Sequence, residues 1–247
     1  MPRLPSHLLA FLLLAVLSGP ATAAGVNLSW DACTADGGVQ NKTFACNTNS
    51  GSNSLFASFA LASDMANVIG IEAKVDITAQ ADSLPAWWRF QGPNACRGGL
   101  SAAFGFDSEN SNCTDTFQSL ATGAVAAVHT YWTTPQVPGG NPATAQALLV
   151  AAVPPSLAQD LTAGTEYFGF RLILYSIKTV GSGACTGCST PVCITLSQIK
   201  VVATDNSAQV LADPLVASTA TWQSAEQCPG AFAERNVTWG QVRGVMH

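Results

Sequence analysis

The chain has 247 residues, 10 Lys and Arg against 15 Asp and Glu, a formal net charge of −5 and only 10% charged residues. Soluble domains carry roughly 25%, so the wetted surface must be written in Ser, Thr, Asn, Gln and Gly. A net-negative chain without clustered Lys and Arg is not a nucleic-acid binder, and 48% hydrophobic residues exclude general disorder.

Residues 1–23 read as a signal peptide. Arg3 supplies the positive start and an apolar run follows from Leu8 to Leu17. Ser18-Gly19-Pro20 breaks that run, and Ala21-Thr22-Ala23 forms a small-x-small cleavage site. The run is about half the ~20 residues of a membrane-spanning helix, and no later stretch is long enough. The mature chain is therefore expected to be secreted, periplasmic or at the cell surface, without a membrane span. One β-domain is expected over 24–227 and a C-terminal tail over 228–247, since all-β units often reach roughly 200–250 residues.

The predicted elements are strands almost throughout. Leu55, Ala57, Phe59 and Leu61 alternate after the turn at 48–51. The stretch 69–80 alternates apolar and polar residues without error, the period of a strand with one wet face. That face carries Glu72, Lys74 and Asp76, read as an ordinary salt-bridged surface rather than an acid–base pair. Further strands are expected at 100–106, 124–132, 145–153, 166–178 and 192–203. In 166–178, Phe168, Phe170, Leu172 and Leu174 share a face. In 192–203 the apolar phase slips at Ser197-Gln198, the mark of a β-bulge. The helical hint is short, at 155–161. Turn clusters at 135–142 and 204–207 separate the strands. This spacing predicts an all-β fold, a single antiparallel β-sandwich of jelly-roll or cohesin-like layout stapled by disulfides.

All eight cysteines follow the signal segment, an even count suited to an oxidising compartment. Local reach pairs Cys33 with Cys46 and Cys96 with Cys113, and leaves Cys185, Cys188, Cys193 and Cys228 to pair among themselves. A zinc site or a redox Cys-x-x-Cys fits less well. The second zinc knuckle is missing, and Gly181-Ser182-Gly183 and Pro191 frame a loop rather than a helix start.

Motifs for catalysis are absent. There is no Gly-x-Ser-x-Gly elbow, no His-Glu-x-x-His and no phosphate loop. His129 sits in a predicted strand and reads as structural. A hydrolase with two carboxylates at the right separation is an alternative that spacing does not test. The sequons at Asn27, Asn41, Asn112 and Asn236 read as incidental.

Two features are candidate binding sites. In a strand, adjacent Trp87 and Trp88 face opposite ways. One indole, with Arg89 beside it, would then stack on a sugar ring, and Tyr131-Trp132 offers a second such pair. The competing reading, which carries more weight, buries both indoles. The oxygen-rich run Asp107, Glu109, Asn110, Asn112 and Asp115 has the ligand type of a calcium loop, although it lacks the glycine and closing Glu of an EF-hand. No other cofactor is expected.

Ser29-Trp30-Asp31-Ala32-Cys33, Leu84-Pro85-Ala86-Trp87-Trp88, Cys185-Thr186-Gly187-Cys188 and Thr238-Trp239-Gly240 together resemble a group of secreted bacterial proteins without an established activity. More distantly, a strand like 69–80 followed by an aromatic loop is similar in layout to cohesin and carbohydrate-binding-module sandwiches. The resemblance implies no catalytic residues. The expected function is a secreted, non-catalytic binding or structural module, with polysaccharide as ligand through exposed Trp. Its alternatives are an adhesion or scaffolding module that binds another secreted protein, and the carboxylate-pair hydrolase.

Overall fold

A computed structural model describes residues 23–92, 95–105, 111–118, 126–133, 141–225 and 228, with the backbone alone described for 126–130. Among them are thirteen strands, three 3-10 turns and no α-helix. The strands are β1 (Gly25–Trp30), β2 (Asn41–Lys42), β3 (Ser52–Ala60), β4 (Met65–Ala79), β5 (Leu100–Ala103), β6 (Thr114–Asp115) and β7 (Ala126–Thr133). They continue with β8 (Thr144–Ala152), β9 (Gln159–Leu161), β10 (Tyr167–Tyr175), β11 (Val192–Ala203), β12 (Ala208–Leu211) and β13 (Thr219–Trp222).

They form a two-layer sandwich. One sheet runs β1-β3-β10-β5 with β6 beside β10. The other runs β2-β13-β11-β4-β8-β7, with β12 beside β11 and β9 beside β4. The pairing is antiparallel except for two short parallel contacts, β6 with β10 and β2 with β13. The long strands follow their alternation. β4 buries Ile71, Ala73, Val75 and Ile77 and turns Glu72, Lys74 and Asp76 outward. Where β4 offers Ile77, Val75 and Ile71, β8 answers with Ala145, Ala147 and Ala151, and Leu149 meets Ala73. Large side chains therefore fall against small ones, as close packing requires.

β11 has the predicted bounds, and its register with β4 shifts between Leu196 and Gln198. Ser197 is the extra residue, and its hydroxyl donates to Asp76. β10 departs from expectation. A second shift, at Gly169, separates Phe168 from Phe170. Phe170, Leu172 and Leu174 enter the inter-sheet core, whereas Phe168 joins Cys33, Phe56 and Cys113 in a small core on the outer face of its sheet. The same layer explains why Phe56 and Ser58 are buried in β3 although strict alternation would wet them. The helical hint becomes a 3-10 turn, Pro155–Leu157, followed by β9.

The disulfides correct the local pairing. Cys33 bonds Cys113, Cys46 bonds Cys188, Cys96 bonds Cys185 and Cys193 bonds Cys228, so only the last stays within the final four. Chain distance misled because the partners are brought together by the sandwich, across 80, 142 and 89 residues for the first three. No described residue lies in a helix long and apolar enough to cross a membrane. Of the predicted leader 1–23 and tail 228–247, only residues 23 and 228 are described.

Candidate functional site

The aromatic segment at one end of the sandwich folds differently from a strand. Pro85, with φ of −63°, opens a 3-10 turn over Ala86–Trp88, and neighbouring side chains in such a turn stand about a third of a turn apart. Both indoles therefore enter one cleft, 1% and 0% exposed. Trp87 lies 4.9 Å and Trp88 5.4 Å from Trp222, centroid to centroid, and Phe90 packs 5.3 Å from Tyr131. The Trp87 indole N–H donates to Thr179 Oγ1 (2.9 Å) and that of Trp222 to the Cys188 carbonyl (2.6 Å). The Tyr131 hydroxyl donates to the Trp88 carbonyl. Neither tryptophan presents a face to a sugar ring, which corrects the stacking site. Tyr131 is buried with them, and the Arg89 Nε–H is spent on the Leu84 carbonyl at 2.9 Å. Of the rings in that set only Trp132 reaches the surface, half-buried, as Arg89 is too.

Arg97 closes this cluster from the side, and the sequence offered no signal for it. It is 2% exposed, with its guanidinium carbon 3.2 Å from the centroid of Trp87 and 5.0 Å from that of Phe90. Its Nε donates to the Trp87 carbonyl (2.7 Å), and one terminal nitrogen donates to the carbonyls of Tyr175 and Ile177. Burial pulls its pKa down to about 9, against an opposing influence of the Tyr131 phenol. Burial likewise pushes Tyr131 far above the ordinary phenol value, with Arg97 and Arg89 drawing it back. These groups anchor a core.

The predicted calcium loop divides. Asp107, Glu109 and Asn110 lie outside the described residues, as does the His129 side chain. Asn112 is exposed and gives its backbone N–H (2.7 Å) and side-chain amide (3.1 Å) to Asp36, while Asp115 is buried and accepts from the Phe117 N–H. Asn112 and Asp115 thus serve separate local contacts. Among the described residues no group of three or more His, Cys, Asp or Glu could hold a metal ion.

The carboxylates of β4 are also spoken for. Glu72 lies 3.6 Å from Lys200, and Asp76 accepts from Gln146 (2.7 Å) and Ser197. The two acids stand four positions apart along the strand, about 13 Å, which exceeds the spacing of a glycosidase pair. Asn27 is not an open sequon. It is 1% exposed, its amide donates to Glu166 and its carbonyl accepts from Val216 and Ala217. A groove of about 630 Å³ beside β13 is lined by Gln40, Asn41, Thr219, Thr221, Ser224 and small residues, with neither a charge nor an aromatic ring.

The broad surface is the outer face of β7-β8-β4-β11. Register places Trp132, Gln146, Asp76 and Thr195 in one row across it, and Leu148, Lys74 and Gln198 in the next. Val150, Glu72 and Lys200 form a third row. Trp132, Leu148 and Val150 are half-buried there, beside a polar and charged strip on β4 and β11. The period-2 pattern of 145–153 held this information, but only the sheet order makes β8 and the end of β7 neighbours.

Comparison with known structures returns sandwiches. The chain is similar to a cohesin module from a Clostridium perfringens family 33 glycoside hydrolase, with 8% identity and a TM-score of 0.35 over 81% of this chain and 93% of that one. It is also similar to the second type II cohesin module of a cellulosomal adaptor scaffoldin from Acetivibrio cellulolyticus, with 8% identity and a TM-score of 0.33 over 76% and 89%. Likeness at this level carries no argument about ligand or activity. No family model and no curated protein matches the sequence.

Proposed function

We propose that the chain is an exported, non-catalytic module that binds another protein through the outer face of β7-β8-β4-β11. The observation that carries this reading is the apolar patch of Trp132, Leu148 and Val150, one residue from each of three successive rows, flanked by Lys74, Glu72 and Lys200. An aromatic and aliphatic centre with a polar, charged rim is the anatomy of a protein interface. The sugar-binding alternative needs exposed rings, and Trp87, Trp88 and Tyr131 are in the core. Four disulfides suit an oxidising, extracytoplasmic compartment, and the leader over 1–23 would supply the route there.

The test couples wild type and the L148E/V150E variant to a resin and challenges both with the secreted proteins of the source organism. A discrete protein retained by wild type and weakened about tenfold or more by the variant is the expected result, with unchanged melting of the variant. Equal retention by both, or retention of wild type on a polysaccharide panel, overturns the reading.

A further inference from the structure

The smaller sheet carries a second, narrower surface on its outer side. β10 lies between β3 and β5. Its alternation sends Phe170, Leu172 and Leu174 into the core and therefore Arg171, Ile173 and Tyr175 outward. Ser54 and Ser101 flank Ile173 in register, so the larger side chains stand as a ridge between small ones. Tyr175, at the end of the ridge, is 39% exposed and Ile177 just beyond it 41%, two of five large apolar side chains left in water among the described residues.

Arg171 is the unusual member. Its guanidinium carbon sits 5.8 Å from the centroid of Phe56, close enough for the ring face to hold it. Arg89 and Arg97 each spend their Nε–H on a backbone carbonyl. The Arg171 Nε is buried without a hydrogen-bond partner, and no described residue gives its guanidinium an ion pair. In a chain with 15 acids against 10 bases, this half-buried cation has no acid of its own. A guanidinium takes a carboxylate in a bidentate pair, and Arg and Tyr are residues on which interface energy concentrates.

We infer that this ridge is a second interface, which takes an extended acidic segment of a partner protein. A Glu or Asp of that segment pairs with Arg171, and an apolar side chain two residues along packs on Ile173 and Tyr175. Alternate side chains of an extended chain repeat every 7 Å or so (roughly), the spacing of the ridge itself. Strands on both sides of β10 keep the segment from adding to the sheet, so recognition falls to side chains. The aliphatic Ile173 at the centre suits a peptide side chain better than a sugar ring, which stacks on aromatic faces. The ridge lies on the layer opposite the β7-β8-β4-β11 face, so each surface is filled independently of the other.

Selection of a phage-displayed random dodecapeptide library on the full chain, with wild type and R171E in parallel, tests this. Wild type is expected to enrich peptides with Glu or Asp two residues from an apolar side chain, and R171E to enrich Lys or Arg at that place. Synthetic copies of the wild-type peptides should bind R171A and Y175S about tenfold or more weakly, with melting unchanged, and bind L148E/V150E as well as wild type. If R171A does not fold, Y175S and replacement of the peptide's Glu by Gln still decide. Peptides that bind wild type and R171A equally overturn the proposal, as does loss of binding in L148E/V150E alone, which moves the peptides to the larger sheet. A selection that yields no acidic peptide also overturns it, and Arg171-dependent retention of polygalacturonate would then point to an anionic sugar chain.

Discussion

Arg97 carries a positive charge into the interior and meets it with ring faces and backbone carbonyls. A planar guanidinium does both at once, which an ammonium does not. Arg97→Met leaves the carbonyls of Trp87, Tyr175 and Ile177 without their donor, a loss of about 3 kcal/mol, and Arg97→Lys does not restore it. Urea unfolding of the two variants checks this, and recovery by Lys would refute the fork argument. Asp36 acts at the surface. Burial alone would raise its pKa, but hydrogen bonds from Ser111, the Asn112 backbone and side chain and the Cys113 backbone hold it below the ordinary 3.8. A carboxyl depressed in the fold stabilises fully above its unfolded pKa and loses that contribution as pH falls through the lower folded value. Stability measured from pH 5 downward should thus fall below about pH 4, with a shallower fall in Asp36→Asn. Its partners sit beside the Cys33–Cys113 bond, so the carboxylate and the disulfide hold the same two segments together.

At the scale of the element, the bulge at Ser197 lets one strand keep both of its halves in register. Val192, Ile194 and Leu196 face the core before it, and Ile199, Val201 and Ala203 after it. Deleting Ser197 removes the extra residue, and a one-residue slip turns an entire side-chain set to the opposite face. The deletion is expected to abolish secretion of folded protein or leave it sensitive to limited proteolysis, while Ser197→Ala, which only gives up the bond to Asp76, stays folded. A deletion variant as protease-resistant as wild type would show that β11 tolerates either register. This bulge was legible because apolar residues flank it on both sides. The shift at Gly169 was not, because Phe168 is as apolar as Phe170 and has its own small core to enter. The aromatic segment failed in a related way. Trp87 and Trp88 suit a strand by composition, and only the turn opened by Pro85 lets both indoles face inward.

For the whole molecule, the disulfides set the order of stability. Cys46–Cys188 closes 142 residues and Cys193–Cys228 closes 35. Loop-closure entropy makes loss of the first costlier by about 1 kcal/mol, within the ~2–5 kcal/mol typical of a native disulfide. Guanidinium midpoints of the C46A/C188A and C193A/C228A variants compare them, and equal midpoints would place the stabilisation in native contacts rather than in the restrained unfolded chain. Both long closures near the aromatic end run through the segment Cys185-Thr186-Gly187-Cys188. There Gly187 has φ of +101°, and an added Cβ would come within 2.2 Å of Pro85 Cβ. The aromatic end is thereby held by two crosslinks, a buried guanidinium and a glycine-dependent approach.

Period and composition, local properties of the chain, were enough for the all-β class, the long strands β4, β8 and β11, the β11 bulge and an oxidised set of eight cysteines. Alternation reports directly which face of a strand is apolar. Pairing partners, the sheet order, the burial of Trp87 and Trp88, the place of Arg97 and the patch formed by Trp132, Leu148 and Val150 were decided by tertiary structure alone. Each depends on which distant segments become neighbours, and β-sheet contacts join residues whose separation along the chain has no local signature. The cysteines show the difference most plainly: local patterning identified all eight, and the sandwich chose the partners.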